Sequence, residues 1–236
     1  MGASPGSTFP ADHAMPHDPE REVGRRYDRL AEDYDRRWAR YVEASVEGTL
    51  ERIDWADARD VLDVGCGSGA LLERVARGRP VARLAGLDLS PGMLATARRR
   101  LGRRPGLAAG SAFRLPFRPG AFDLAVSTSA LHHWSDPAAA LAEMGRVLRP
   151  GGQIAITDWC ADRRLDRLRD RVLRHVERAH VRVYRSAELA SLLAGAGFSA
   201  VRVERWRIGL RWSMMTGLAR AGPRGNAWLA SSSAGP

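Results

Sequence analysis

The stretch "VLDVGCGSG", Val61 to Gly69, packs three glycines into five positions directly behind an apolar run. Glycine has the most backbone freedom to lose on folding, so such a cluster marks a chain that turns sharply or lets something approach closely. "RDVLDVG" in front of it is a short apolar strand, and "ALLERVARG" (Ala70 to Gly78) behind it is a helix closed by glycine. A glycine turn between a strand and a helix N-terminus aims N–H donors at a ligand. In an open α/β sheet, ligands bind outside the carboxyl ends of the strands, where strand order reverses.

Strand-like and helix-like segments alternate onward from this point. "VARLAGLDLS" is a second strand, and Ser90 caps the helix "PGMLATARRRL" with Pro91 in its first position. "GLAAGSAFRLPF" holds a weaker strand and "AFDLAVSTS" a clear one. Asp136 and Pro137 open a helix with Leu141, Met144 and Leu148 on one face. "RPGG" (Arg149 to Gly152) turns into the strand "QIAITDW". Ser186 caps "AELASLLAGAG", "FSAVRVERWRIG" is a late strand, and "RWSMMTGLARA" returns antiparallel as a hairpin. Strands separated by helices predict a doubly wound, mostly parallel sheet with both faces covered. "GRRYDRLAEDYDRRWARYVEASVEGTLERI" is helical in composition and is expected to cover one end of that sheet. The expected organisation is a disordered segment over 1–20, one α/β domain over 21–221, and a flexible tail over 222–236 in which Trp228 and Leu229 could dock.

Composition narrows the function. A chain of 236 residues buries enough surface to fold without disulfides or metal, and Cys66 and Cys160 lie far apart in no metal-ligand spacing. No metal is expected. There is no signal-peptide layout and no apolar run of membrane-spanning length, which predicts a soluble, cytoplasmic protein. The net charge of +10 raises a nucleic-acid partner, but all 37 basic residues are arginine and they spread over the whole chain. Nucleic-acid binding needs a concentrated basic patch interleaved with aromatics. The densest stretch, Asp162 to Arg182, is laced with acids at helical spacing and reads as a solvated helix face.

The ligand at the glycines is narrowed by two carboxylates. Asp88 ends the second strand, where it can accept from both hydroxyls of a ribose. Gly65, Gly67 and Ala70 also fit a loose G-x-G-x-x-A dinucleotide fingerprint, which alone is a weak signal. Asp63 lies inside the strand, where a nicotinamide dinucleotide site more usually has an apolar residue. A carboxylate there suits a ligand carrying an ammonium better than one carrying two phosphates.

"VLDVGCGSG", "LAGLDLSPGML", "RLPF", "FDLAVSTSALHHW" and "VLRPGGQIAITDW", in this order, resemble the successive motifs of class I S-adenosylmethionine (SAM)-dependent methyltransferases, over roughly residues 24–220. The resemblance implies a Rossmann-like seven-stranded sheet with its last strand antiparallel. It implies that Asp63 and the backbone of Gly65, Cys66, Gly67 and Gly69 hold the methionine portion of SAM. Asp88 would take the ribose, and Leu89 and Met93 would flank the adenine. Many such enzymes carry an acid after the glycine of the third strand, accepting from the adenine amino group. Here Ser111 stands there, so Ser111 and Ala112 are expected as adenine neighbours without charge assistance, a difference of about 1 kcal/mol. Ser127, on the fourth strand, completes the expected cofactor set.

Methyl transfer from a sulfonium is an in-line displacement, for which the protein aligns the acceptor, excludes water and removes a proton. His133 and His132, past the fourth strand, are the candidate bases, His133 preferred, and Asp158 at the end of the fifth strand could orient one of them. Either histidine could equally cap or pack the next helix, and Asp158 could cap a turn. Tyr27, Tyr34 and Trp38 fall at i, i+7 and i+11 on one helical stripe. The resemblance assigns Tyr34 to the amino-acid end of the cofactor, while Trp38, Trp134 and Trp159 are candidates for a substrate wall. Cys66 is expected to be structural, and Cys160 a small buried apolar group.

The expected function is methyl transfer from SAM to a small-molecule acceptor through O, N or C, in natural-product or secondary metabolism. A quinone or lipid C-methyltransferase is the alternative within the class. A NAD-binding oxidoreductase and a non-catalytic SAM-binding protein are the alternatives outside it.

Overall fold

The computed structural model describes residues 18–176 and 180–222. The expectations for residues 1–17 and 223–236, Trp228 and Leu229 included, lie outside them.

Seven strands form one sheet in the order β3-β2-β1-β4-β5-β7-β6. They are β1 (Asp60–Val64), β2 (Arg83–Asp88), β3 (Gly106–Ala109), β4 (Phe122–Thr128), β5 (Leu148–Trp159), β6 (Phe198–Ile208) and β7 (Trp212–Ala221). Only β7 runs antiparallel, between β5 and β6, as the hairpin reading of "RWSMMTGLARA" predicts. Strand order reverses between β1 and β4, which places the glycine loop at the switch point.

β1 is buried at every position because both faces are covered. Alternation along it sends Leu62 to one core with Leu141, Met144 and Ile156, and Val61 to the other with Leu71, Leu72 and Val75. Each such side chain, fully buried, contributes about 1.5–3 kcal/mol. The helices on these faces are α3 (Ala70–Gly78), α4 (Pro91–Leu101), α5 (Pro137–Val147) and α7 (Ser186–Gly195), with α6 (Arg164–Val176) preceding α7. Ser90 caps α4 by accepting from Met93 N–H at 3.0 Å, and Asp136 caps α5 by accepting from Ala139 N–H at 3.0 Å.

Four local expectations are corrected. The amino-terminal helical region is two helices, α1 (Pro19–Leu30) and α2 (Tyr34–Leu50). Tyr27 therefore lies on α1, apart from Tyr34 and Trp38, and the three do not share a helix face. α1 also begins inside the segment assigned to the disordered 1–20, because Asp18 caps it, accepting from Glu20 N–H at 3.1 Å. Ser186 does not cap α7: its hydroxyl donates to Asp162 Oδ2 at 2.7 Å, and the Glu188 carboxylate accepts from Arg185 N–H at 2.8 Å. Finally, α6 buries Asp170 and exposes Leu165, Leu168, Val172 and Val176, the reverse of a face laced with exposed ion pairs.

Candidate active site

The glycine loop is tied to β2. The N–H groups of Gly65 and Cys66 both donate to the Leu87 carbonyl, at 2.8 and 3.0 Å, and Gly67 N–H donates to Asp88 Oδ2 at 2.7 Å. Ser90 N–H donates to Asp88 Oδ1 at 2.9 Å, so two peptide groups fix this carboxylate at the loop. Burial raises the Asp88 pKa above the ordinary carboxylate range, opposed by these N–H groups and reinforced by Asp28. Gly67 has φ +51°, and a β-carbon there would meet nothing within 4 Å, so it would project into open space. Gly69 has φ +81°, and a β-carbon there would lie 2.7 Å from Leu101 Cδ1 and 3.1 Å from Ala97 Cβ. One glycine thus keeps the cleft open, while the other lets α3 approach α4.

A cavity of about 720 Å³, open to solvent, runs over this loop. A smaller one of about 430 Å³ adjoins it, the two sharing Tyr34, Gly65, Gly67, Thr128 and Ser129. Asp63 borders the smaller cavity, almost wholly buried and without an ion pair among the described residues. Burial, then the Asp88 charge, pushes its pKa up to about 8. Cys66 is buried in the same wall, its thiol pushed well above the usual range by burial. The hydroxyl of Tyr34 is raised to about 12 by burial, then by Asp35 and Asp88.

Leu89, Met93, Ala112 and Phe113 form an apolar slot at the far end of the larger cavity, where Glu20 enters from α1. The Ser111 hydroxyl donates to Glu20 Oε1 at 2.5 Å and accepts from Phe113 N–H at 3.0 Å. Glu20 has no signal in the sequence read alone, since it falls in a segment of turn-forming residues. Ser127 is fully buried and donates to the Val64 carbonyl at 2.7 Å, bracing β1 on β4 beneath the cleft. Thr128 and Ser129, not Ser127, line the cavity.

His133 and Trp134 also line the larger cavity, and His133 Nε2 lies 2.7 Å from the Tyr27 hydroxyl. His132 is held differently. Its Nδ1 is 2.8 Å from Asp158 Oδ1, and its N–H donates to Asp158 Oδ2 at 2.9 Å. Asp158 therefore meets both the imidazole and the backbone N–H of His132, within the 3-10 turn Leu131–His133. The two imidazoles are 4.0 Å apart, and Trp159 stacks on His132 at 4.4 Å. Trp159 Nε1 donates to the Tyr41 hydroxyl at 2.7 Å. Trp38 and Trp159 join Tyr41 and Trp212 in an aromatic cluster beside the cavity, whereas Trp134 borders it directly. Trp212 and Tyr41 were not singled out by sequence, because only the β7 register and the docking of α2 bring them here. Cys160 is buried, its thiol raised to about 11 by burial.

Along the cleft lie a buried carboxylate without an ion pair among the described residues, a carboxylate fixed by peptide N–H groups, and an apolar slot with the Glu20 carboxylate. They match an ammonium, a ribose diol and an amino-purine, the successive groups of SAM.

Comparison with known proteins gives the same class. A family model described as a methyltransferase domain matches residues 62–156. A malonyl-[acyl-carrier protein] O-methyltransferase of Geobacter sulfurreducens is 34% identical over 195 residues, covering 78% of this chain and 72% of that protein. A demethylmenaquinone methyltransferase of Beutenbergia cavernae is 35% identical over 144 residues, 58% of this chain and 55% of that protein. Among solved structures, the Haloferax volcanii complex between the Trm112 methyltransferase activator and a methyltransferase matches with a TM-score of 0.71 and 22% identity. That match covers 83% of this chain and 97% of the matched chain, and it shows the fold. The chain belongs to the class I SAM-dependent methyltransferases. It spans 33–55% of the length of the first curated relatives it matches. No helix among the described residues is long and apolar enough to cross a membrane.

Proposed function

We propose that this chain transfers a methyl group from SAM to a small-molecule acceptor, with His133 accepting the proton the acceptor sheds. The observation that carries the reading is that His133 and Trp134 line the same cavity as Gly65, Gly67 and Asp88. Bound SAM supplies an activated sulfonium methyl, so the protein's part is binding, alignment, exclusion of water and proton removal.

Asp63 would hold the ammonium, Asp88 the ribose hydroxyls, and Leu89, Met93 and Ala112 would flank the adenine. Tyr34 spans the junction of the two cavities at the amino-acid end. His133 is the proton acceptor at the cavity, and Tyr27 holds its Nε2. His132, anchored on Asp158 at 2.8 Å, stacks on Trp159, lies with its ring centre 4.0 Å from that of His133 and positions the pair. Trp134 would supply an apolar wall of the cavity for the acceptor. Two carboxylates at the loop, Asp63 and Asp88, make it a poor seat for the diphosphate of NAD.

The test is transfer of labelled methyl from SAM into fractionated lysate, with mass identification of the labelled product. A labelled small molecule is the expected result, and its structure separates O-, N- and C-transfer and shows whether the acceptor is a quinone or lipid. His133→Ala should abolish transfer with SAM affinity unchanged; full activity would remove the base role. Asp88→Ala should weaken SAM binding. SAM binding without demethylated cofactor in any fraction would make the chain a non-catalytic SAM-binding protein.

A further inference from the structure

Helix α6 is built inside out. Its fully buried residue is Asp170, whose Oδ1 accepts from Val183 N–H at 2.8 Å and lies 2.9 Å from His180 Nε2. Its Oδ2 accepts from Arg174 at 2.6 Å. Leu165, Leu168, Val172 and Val176 are instead 71%, 57%, 53% and 72% exposed. At i, i+3, i+7 and i+11 they make one stripe, about 16 Å long at the helical rise. The β6–β7 turn lies beside it, held by Arg169 Nη1 donating to the Arg211 carbonyl at 3.3 Å, and carries Leu210, 92% exposed.

An apolar stripe of this kind on a surface helix marks an interaction site. Its borders say which kind. Arg163, Arg164 and Arg171 are exposed and form no ion pair among the described residues. Arg169 lies over the Trp212 ring at 3.9 Å on the opposite border. We propose that α6 and the Leu210 turn dock on an anionic lipid bilayer, the stripe entering the headgroup boundary and the unpaired arginines meeting lipid phosphates. A helix with an apolar face flanked by arginines lies in the plane of such an interface. A second copy would bring the arginine borders together. The chain's net charge of +10 favours approach to an anionic surface.

The placement has a consequence for the acceptor. Arg169 also lies 5.6 Å from the Trp159 ring, which stacks on His132. A docked bilayer therefore adjoins the aromatic cluster beside the cleft, and the acceptor drawn from it would be a lipid-soluble compound.

Vesicle sedimentation tests the docking without any activity measurement. The full chain should sediment with phosphatidylglycerol vesicles and stay in the supernatant with phosphatidylcholine vesicles. Leu168→Asp with Val172→Asp should lower partitioning about tenfold, with thermal midpoint and SAM affinity unchanged because both side chains are exposed. Arg164→Gln with Arg171→Gln should lower it on phosphatidylglycerol as well. A wild-type protein that ignores phosphatidylglycerol overturns the proposal, as do acidic variants that sediment like the wild type. A wild-type dimer in solution that the Leu168 and Val172 changes dissociate would assign the stripe to a second copy instead.

Discussion

The Glu20 carboxylate and the Ser111 hydroxyl lie 2.5 Å apart although 91 residues separate them, and Glu20 lines the cleft with Ala112 and Phe113. α1 thus brings a carboxylate to the place where the third strand of this chain has only a hydroxyl. Glu20→Ala should weaken SAM binding about tenfold, near ~1.4 kcal/mol, by removing a charge-assisted acceptor. Ser111→Asp in that background should restore most of it. The sharper readout is selectivity: calorimetry should show wild type preferring S-adenosylhomocysteine over its 6-oxo analogue, and Glu20→Ala losing that preference. An unchanged preference would reduce Glu20 to a strut for α1.

Asp63 sets a pH dependence. Its pKa near 8 means that the ligand-free protein holds a proton there at neutral pH. A neighbouring ammonium favours the ionised form, so binding SAM near pH 7 should release roughly one proton. Affinity should then rise with pH between about 5.5 and 7. Calorimetry in buffers of different ionisation enthalpy measures the proton directly, and Asp63→Asn should flatten the dependence. Because the folded pKa is raised, this group's contribution to the ligand-free fold is fullest below the unfolded carboxylate pKa. It declines as pH rises toward 8, so the thermal shift produced by SAM should widen over that range.

Tyr27 and Asp158 should separate by their effects. Tyr27→Phe removes the 2.7 Å contact to His133 Nε2 and should lower turnover about tenfold, move the acidic limb of the pH–rate profile, and spare SAM affinity. An unmoved profile would leave Tyr27 as packing. Asp158→Ala strands the His132 N–H and Nδ1 in a buried site and should cost about 2 kcal/mol of stability by chemical denaturation, whatever its effect on turnover.

The second and third glycines of the loop should fail in different ways. Gly69→Ala drives a methyl into Leu101 and Ala97 at positive φ, so its main effect should be a lower thermal midpoint, worth about 1–3 kcal/mol. Gly67→Ala meets no protein atom, and beyond its backbone strain its main effect should be lost SAM affinity. Equal loss of affinity in both variants, with equal stability, would contradict this division.

Local physics made much of the fold legible. Runs such as Val61 to Val64 are buried at every position because both faces of the sheet are covered, and Ser90 and Asp136 announce helix starts through bonds made within their own turns. The caps that failed are those whose partners lie far along the chain. Ser186 is taken by Asp162, 24 residues away, and the break between α1 and α2 follows from docking. Asp28 on α1 accepts from the Ser90 hydroxyl at 2.5 Å and from Gly92 N–H at 2.9 Å, while Asp35 on α2 meets the Ser68 hydroxyl at 2.6 Å. Two helices reach these separate anchors where one continuous helix was expected.

The sequence by itself determined the sheet, the switch-point loop and the class of cofactor. Strand periodicity, glycine clustering and the paired Asp63 and Asp88 are properties of short segments. Only the tertiary structure decided that His133 faces the cleft while His132 is locked on Asp158, that Glu20 joins Ser111, and that α6 presents Leu165 and Leu168 to solvent. Those outcomes depend on which surfaces meet across tens of residues, and the pattern within one segment carries no information about its partner.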